Sequence, residues 1–214
     1  MSSYADTVPV GQEWLLGGKI PAGEVTLIAG PGSVGKGILC AALAAAVTRG
    51  QLQIDGSPAG PAGDVILVTP EDDPGSAVVH RLTAAGADLG RCHDATELGG
   101  GPFLIPGSLL ELREQLAGWP ETRLIIIDPL LACSTVSLAA NVTVRQKIML
   151  PLQRLARDYG VAVVLIHHTT KAGTVASSKG LTDACRSVLT VGLDKARPEV
   201  RVLEVAKTNI ATAS

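Results

Sequence analysis

Lys36 stands near the end of the segment Gly30-Pro31-Gly32-Ser33-Val34-Gly35-Lys36-Gly37, and the residue types around it suit the holding of phosphate. The glycines let main-chain N–H groups wrap an anion, and a helix starting near the lysine adds its positive dipole end. The ammonium can then reach β- and γ-phosphates. A strand–turn–helix that used its glycines only to turn would need no lysine at this offset. The candidate phosphate-binding residues are therefore Gly30, Pro31, Gly32, Ser33, Val34, Gly35, Lys36, Gly37 and Ile38. The position after the lysine commonly carries a Ser or Thr hydroxyl that ligates magnesium. Here it is Gly37, which shifts the expected ligation of Mg2+ onto water and Asp128 and predicts low turnover.

Two further clusters of carboxylates stand at the ends of apolar runs. Leu124-Ile125-Ile126-Ile127 leads into Asp128, where a carboxylate can face a magnesium shell; the plainer role is a turn before Pro129. Val65 to Thr69 leads into Pro70-Glu71-Asp72-Asp73-Pro74. Three adjacent carboxylates repel one another unless a cation, a cap or a water-polarising role uses them. Glu71 is the candidate general base for an attacking water, with Asp72 or Asp73 capping the helix that begins at Pro74. A third strand end, Leu165-Ile166-His167-His168-Thr169-Thr170-Lys171, carries paired histidines. Neighbours on a strand point to opposite faces, which argues against a shared zinc ion. His168 is assigned as the group that senses a γ-phosphate and His167 as a structural residue.

The elements that must position these groups follow from periodicity. Val25 to Ala29, Val65 to Thr69, Leu124 to Ile127 and Val161 to Ile166 are consecutive apolar residues, as in strands buried on both faces of a parallel sheet. Between them lie helix candidates at Lys36 to Thr48, Pro74 to Ala85, Ser108 to Ala117 and about Val142 to Tyr159. Strand–helix repetition of this kind gives an α/β fold. Arg186 to Val191 and Val200 to Lys207, joined through Arg197-Pro198-Glu199, add an antiparallel edge. Gly56 to Gly63 and Gly99 to Pro102 read as loops. The chain reads as a single domain over 1–214, with a lead-in at 1–13, the strand, phosphate loop and helix at 24–48, a mobile polar loop at 170–180, and terminal strands at 186–209.

Composition bounds the remaining possibilities. With 18 basic and 20 acidic residues the formal charge is −2, so any attraction to nucleic acid must be local. Aromatic residues are 2% of the chain, too few for an extended base-stacking platform. Although 46% of residues are hydrophobic, no apolar run approaches the ~18 residues of a membrane span. The N-terminal residues lack the pattern of a signal peptide, and the four cysteines show no Cys-x-x-Cys spacing. A cytoplasmic protein with reduced thiols is the expectation.

Four blocks stand in order: Trp14 to Glu24 leading into the loop, Thr69 to Pro74, Leu124 to Leu130, and Leu165 to Lys171. Together they resemble the RecA-like P-loop ATPases, most closely the RepA-type replicative helicase group that includes DnaB-like motors. The likeness runs from about Trp14 to Asn209. It implies ATP and Mg2+ as cofactors and a homo-oligomeric ring, usually of six subunits, with ATP between neighbours. In that family the residues matching Glu71, Asp128 and His168 activate water, serve magnesium and sense phosphate. Lys207 matches a basic residue that reaches the next subunit's site, while Asn209 stands where related motors often carry Arg. The loop after the paired histidines lines the family's channel. That places Lys171 and Lys179, with Arg186 beyond them, near single-stranded DNA. For Arg186 a carboxylate partner is an equal expectation. Alternatives are a nucleotide-binding assembly or regulatory ATPase that barely hydrolyses, and a small-molecule kinase suggested by the Lys36-Gly37 pair alone.

Overall fold

The computed structural model describes residues 11–51, 53–58, 60–169 and 179–210. Seven strands form the central sheet: β3 (Val25–Gly30), β4 (Asp64–Val68), β5 (Cys92–Asp94), β8 (Thr122–Ile127), β9 (Ala162–His168), β10 (Ser187–Leu193) and β11 (Arg201–Thr208). Their order across the sheet is β11-β10-β3-β9-β8-β4-β5. Six run parallel, and β11 alone pairs antiparallel, on β10. This is the α/β architecture of a RecA-like P-loop domain, with the antiparallel edge read from the sequence. Two small hairpins complete the strands: β1 (Trp14–Leu16) with β2 (Ile20–Pro21), and β6 (Glu97–Leu98) with β7 (Gly101–Pro102).

The inner strands are apolar on consecutive positions because helices cover both faces. All six residues of β3 are buried. On one face Ile28, Leu67, Ile126 and Ile166 pack against Leu43, Ala44 and Val47 of α1 (Lys36–Arg49) and Leu82 of α2 (Val79–Ala85). On the other, Leu27, Ile66, Ile125 and Leu165 pack against Leu112 of α3 (Leu109–Gly118) and Leu152 and Leu155 of α5 (Leu150–Tyr159). Leu181 of α6 (Lys179–Ala184) joins that second layer. Burial on two faces leaves polar groups few places except strand ends and edges.

The helix read over about 142–159 is a continuous helical run in three parts. α4 (Asn141–Val144) is followed by a π-helical turn (Arg145–Met149) and then α5. A second π-helical turn, Pro74–Val78, precedes α2. The stretch Gly99 to Pro102 is the turn and second strand of the β6–β7 hairpin rather than loop alone. Of the segment 170–180, residues 170–178 lie outside the described residues, and Lys179 and Gly180 open α6 instead of ending a loop. β5 and the β1–β2 hairpin are strands that apolar periodicity did not mark. Among the described residues, no helix is long and apolar enough to cross a membrane.

The sheet's register carries the site residues to one end. Gly30 pairs with His168, and Val68 with Ile127, so the last residues of β3, β9, β4 and β8 finish side by side. At Gly30 the backbone passes so close to β10 that an added Cβ would lie 2.6 Å from the Val191 carbonyl oxygen. Main-chain atoms cannot move aside as a side chain can. Gly30→Ala should therefore destabilise the fold by ~1–3 kcal/mol, as overpacking does. Denaturant unfolding measures this; an unchanged midpoint would contradict the close approach.

Candidate nucleotide site

The phosphate loop leaves β3 at Gly30 and enters α1 at Lys36. Ser33 takes φ of 60° and Gly35, at the helix N-cap, φ of 100°. These left-handed positions turn the chain so that the first N–H groups of α1 face out of the sheet end. No side chain caps them, so the dipole end is available to an anion. Lys36 is only 6% exposed. Its Nζ donates to the Gly30 oxygen at 3.0 Å and the Pro31 oxygen at 2.7 Å, and lies 3.3 Å from His168 Nδ1. Burial pushes its pKa down, while Asp128 and then Cys40 oppose the shift.

Because an ammonium only donates, the contact assigns His168 Nδ1 as the acceptor and leaves the proton on Nε2. His168 is exposed on the rim of the same cleft. Its neighbour faces the other way. His167 is 3% exposed, and its ring nitrogens find no partner among the described residues. Desolvation, with His168 and Lys36, pushes its pKa down and keeps it neutral. The alternation of β9 thus separates one imidazole for the cleft from one for the packed layer.

The three adjacent carboxylates have separated by environment. Asp73 accepts from the Ser76 N–H at 2.7 Å and caps the π-helical turn. The Ser76 side chain, and after it this N–H bond, lowers its pKa. Asp72 is held by both terminal nitrogens of Arg81, one at 3.2 Å and the other closer. Glu71 is exposed on the cleft wall and has no ion-pair partner among the described residues. Asp128 follows directly on β8 and receives the Cys40 thiol at 4.0 Å. Desolvation, then the charge of Asp72, raises its pKa against the pull of Lys36, His168 and Arg81.

These groups enclose a cleft of about 440 Å³ between the phosphate loop and the ends of β4, β8 and β9. A second, more apolar cavity of about 660 Å³ adjoins it, sharing Gly35 and Ile38. Leu16, Leu39, Val191 and Leu203 line it, with Lys19, Asp55 and Arg201 at polar positions. Lys19 pairs with Asp55 at 3.2 Å. Hydrogen bonds from Ser57, with a smaller contribution from Lys19, draw the Asp55 pKa down to about 2. Arg201 Nε donates to the Val34 oxygen at 3.2 Å and braces the phosphate loop from β11. Neither Arg81 nor Arg201 was identified from sequence. Arg201 lies far along the chain from the loop it touches, and nothing local signals that contact. For Arg81, an arginine ten residues after Glu71, on the helix those carboxylates begin, was a weak signal.

A divalent ion finds a partial donor set here. Asp128 offers a desolvated carboxylate that a cation would relieve, whereas Gly37 offers no side-chain oxygen. Asp128 and phosphate oxygens would hold magnesium, with water in the remaining positions, and the ion would neutralise charge on the transferred phosphoryl group.

The described basic residues assigned to DNA and to a neighbouring subunit lie elsewhere. Lys171 falls outside the described residues. Lys179 is exposed at the start of α6. Arg186 meets β3 at its first residue, at the sheet end opposite the phosphate loop, and lies 3.7 Å from Glu24, which also pairs with Arg157. Glu24 is the carboxylate partner that the sequence offered Arg186 beside the DNA role. Lys207 is also near that end, opposite Val188 in the register. Its Nζ donates to the carbonyls of Thr182, Asp183 and Cys185 at 2.9, 3.1 and 3.4 Å, and so caps the C-terminus of α6 within its own chain.

A raised carboxyl pKa in the fold means that ionisation opposes folding. For Asp128 the penalty is complete above its raised folded pKa and is lost as pH falls from there to the unfolded value of ~3.9. Asp128→Asn, which mimics the neutral acid, should melt at a higher temperature than the wild type at pH 7, and the gap should close toward pH 4. Thermal melts across that range test it. A lower melting temperature at pH 7 would show that the carboxylate is net stabilising.

A family model described as an AAA domain matches residues 3–174. The matched segment contains the phosphate loop, Glu71, Arg81, Asp128 and His168, and ends before Lys179, Arg186, Arg201 and Lys207. Such a domain is of the nucleotide-binding ATPase type, in agreement with the cleft. The match spans well over half of the sequence, and the chain belongs to the AAA-domain family.

Proposed function

We propose that this chain binds and hydrolyses ATP as a RecA-like motor that assembles into a ring on single-stranded DNA, in the manner of RepA-type helicases. The observation that carries the catalytic part is the convergence of Lys36, Glu71, Asp128 and His168 on one cleft from four separate strand ends. Phosphoryl transfer needs little covalent chemistry from a protein; it needs positioned charge. Main-chain N–H groups of the loop and Lys36 hold the phosphates, and the adjoining apolar cavity accepts the base. Glu71, solvent-facing and unpaired among the described residues, orients and deprotonates water. His168, with Nε2–H directed away from Lys36, donates to the γ-phosphate and registers its departure.

Assembly and DNA binding are the finer part of the reading. Lys207 and Lys179 are presented on the last strand and last helix, Lys207 at the end remote from the chain's own phosphates. A head-to-tail ring brings that region to a neighbour's cleft. In such a ring Lys207 exchanges its carbonyl partners on α6 for the neighbour's phosphate. A second reading, a ring-forming regulatory ATPase with slow turnover, is favoured by Gly37, which removes a magnesium ligand.

ATPase rate with and without single-stranded DNA, with oligomer mass measured in parallel, separates these readings. The motor predicts DNA-stimulated turnover by a species several protomers in mass. Slow turnover that DNA does not change supports the regulatory reading. Lys36→Ala should abolish tight ATP binding with the fold retained. Glu71→Gln should bind ATP as the wild type does and lose turnover by ~100-fold or more, the usual scale of a general base. Turnover unchanged in Glu71→Gln would remove the assigned base.

A further inference from the structure

The residue after the phosphate-loop lysine lacks a side chain, and the space it leaves is filled. A Cβ built on Gly37 would lie 2.9 Å from Arg81 Nη1 and 3.4 Å from Cζ. The guanidinium therefore lies against the first turn of α1, on the wall of the phosphate cleft, where a serine or threonine hydroxyl would otherwise project. A hydroxyl residue at 37 and Arg81 in this position exclude one another unless the arginine swings away.

Arg81 is held there by more than packing. Asp72 takes both terminal nitrogens in a two-pronged pair, which fixes the plane of the guanidinium. Asp128 contributes a further attraction from across the cleft. Of the five guanidinium donors, two serve Asp72, and Asp72 is the only side-chain partner of Arg81 among the described residues. The remaining donors are carried beside Lys36 in a cleft that also holds Glu71, Asp72 and Asp128. A polyphosphate entering this acidic surrounding needs positive charge near the loop, and Lys36 supplies one unit. In loops with a hydroxyl after the lysine, a metal bound to that hydroxyl supplies the rest.

We propose that Arg81 takes over that electrostatic task, so that this chain binds the triphosphate of a nucleotide without needing a divalent cation. Arg81 is then a phosphate-binding residue donated by the same chain, and Gly37 is the condition for its entry. The metal requirement is confined to turnover, where Asp128 is the ligand. The inference rests on the nucleotide-binding reading above and goes beyond it in naming the cation that meets the phosphates.

The test is calorimetric titration of ATP into the wild-type protein and two variants, in magnesium and in EDTA. The wild type should bind with dissociation constants that agree within ~3-fold between the two conditions. Arg81→Gln should weaken binding in EDTA by ~10-fold or more, the scale of one lost charge-assisted contact, and recover part of it in magnesium. Gly37→Ser, which keeps Arg81 but displaces it from the loop, should show the same change. This second variant serves should Arg81→Gln fail to fold, as judged by circular dichroism. Binding in magnesium that is lost in EDTA for the wild type overturns the proposal and leaves the nucleotide site standing. EDTA-tolerant binding that neither variant weakens also overturns it. No binding under either condition overturns both the proposal and the nucleotide reading.

Discussion

A lysine ammonium placed at the mouth of a parallel sheet buried on both faces must be held by whatever polar atoms the strand ends supply. Lys36 is nearly inaccessible, and its partners are the last carbonyl of β3, the carbonyl of the first loop residue and an imidazole from β9. Burying a charge is tolerable only with such compensation. The rest of the site follows from this requirement. The left-handed residues Ser33 and Gly35 lie in the turn that leads from those carbonyls to Lys36, the register of β3 on β9 brings His168 level with Gly30, and Asp128 offsets charge from β8. A shift of one residue in β9 would send His168 into the core and His167 into the cleft.

The same physics distributes the carboxylates. Four acidic groups, Glu71, Asp72, Asp73 and Asp128, converge near one end of the sheet, and each has a different neighbour. Asp73 satisfies a helix start, Asp72 holds Arg81, Asp128 is desolvated beside a thiol, and Glu71 faces solvent. One carboxylate, Glu71, is left accessible and one, Asp128, is desolvated. Arg81 links the sets, since it is held by Asp72 while resting on Gly37.

Much of this was legible in the sequence for identifiable reasons. β3, β8 and β9 read as strands because two-sided burial leaves unbroken Val and Ile runs. The residues that end them were therefore legible as a site. The opposite facing of His167 and His168 followed from strand alternation, and of the two expected cap candidates, Asp72 and Asp73, it is Asp73 that makes the cap. β5 was missed because it is a three-residue polar edge strand, supported by pairing with β4 rather than by its own pattern. Each π-helical turn covers only five residues, too short a stretch for a change of period to be read from apolar spacing. Arg201 on the loop and Lys207 on α6 are contacts of the folded chain, set by register and helix placement. Residue type and spacing carry no trace of them.

The central claim is that four strand ends and one loop form a single nucleotide site. Amide hydrogen exchange with and without a non-hydrolysable ATP analogue tests it most directly, because protection reports the segments a ligand orders. The account predicts added protection over residues 30–38 and, in the same titration, over the segments carrying Glu71, Arg81, Asp128 and His168. Protection confined to other parts of the chain, or to the loop with no response at the three other strand ends, would contradict it.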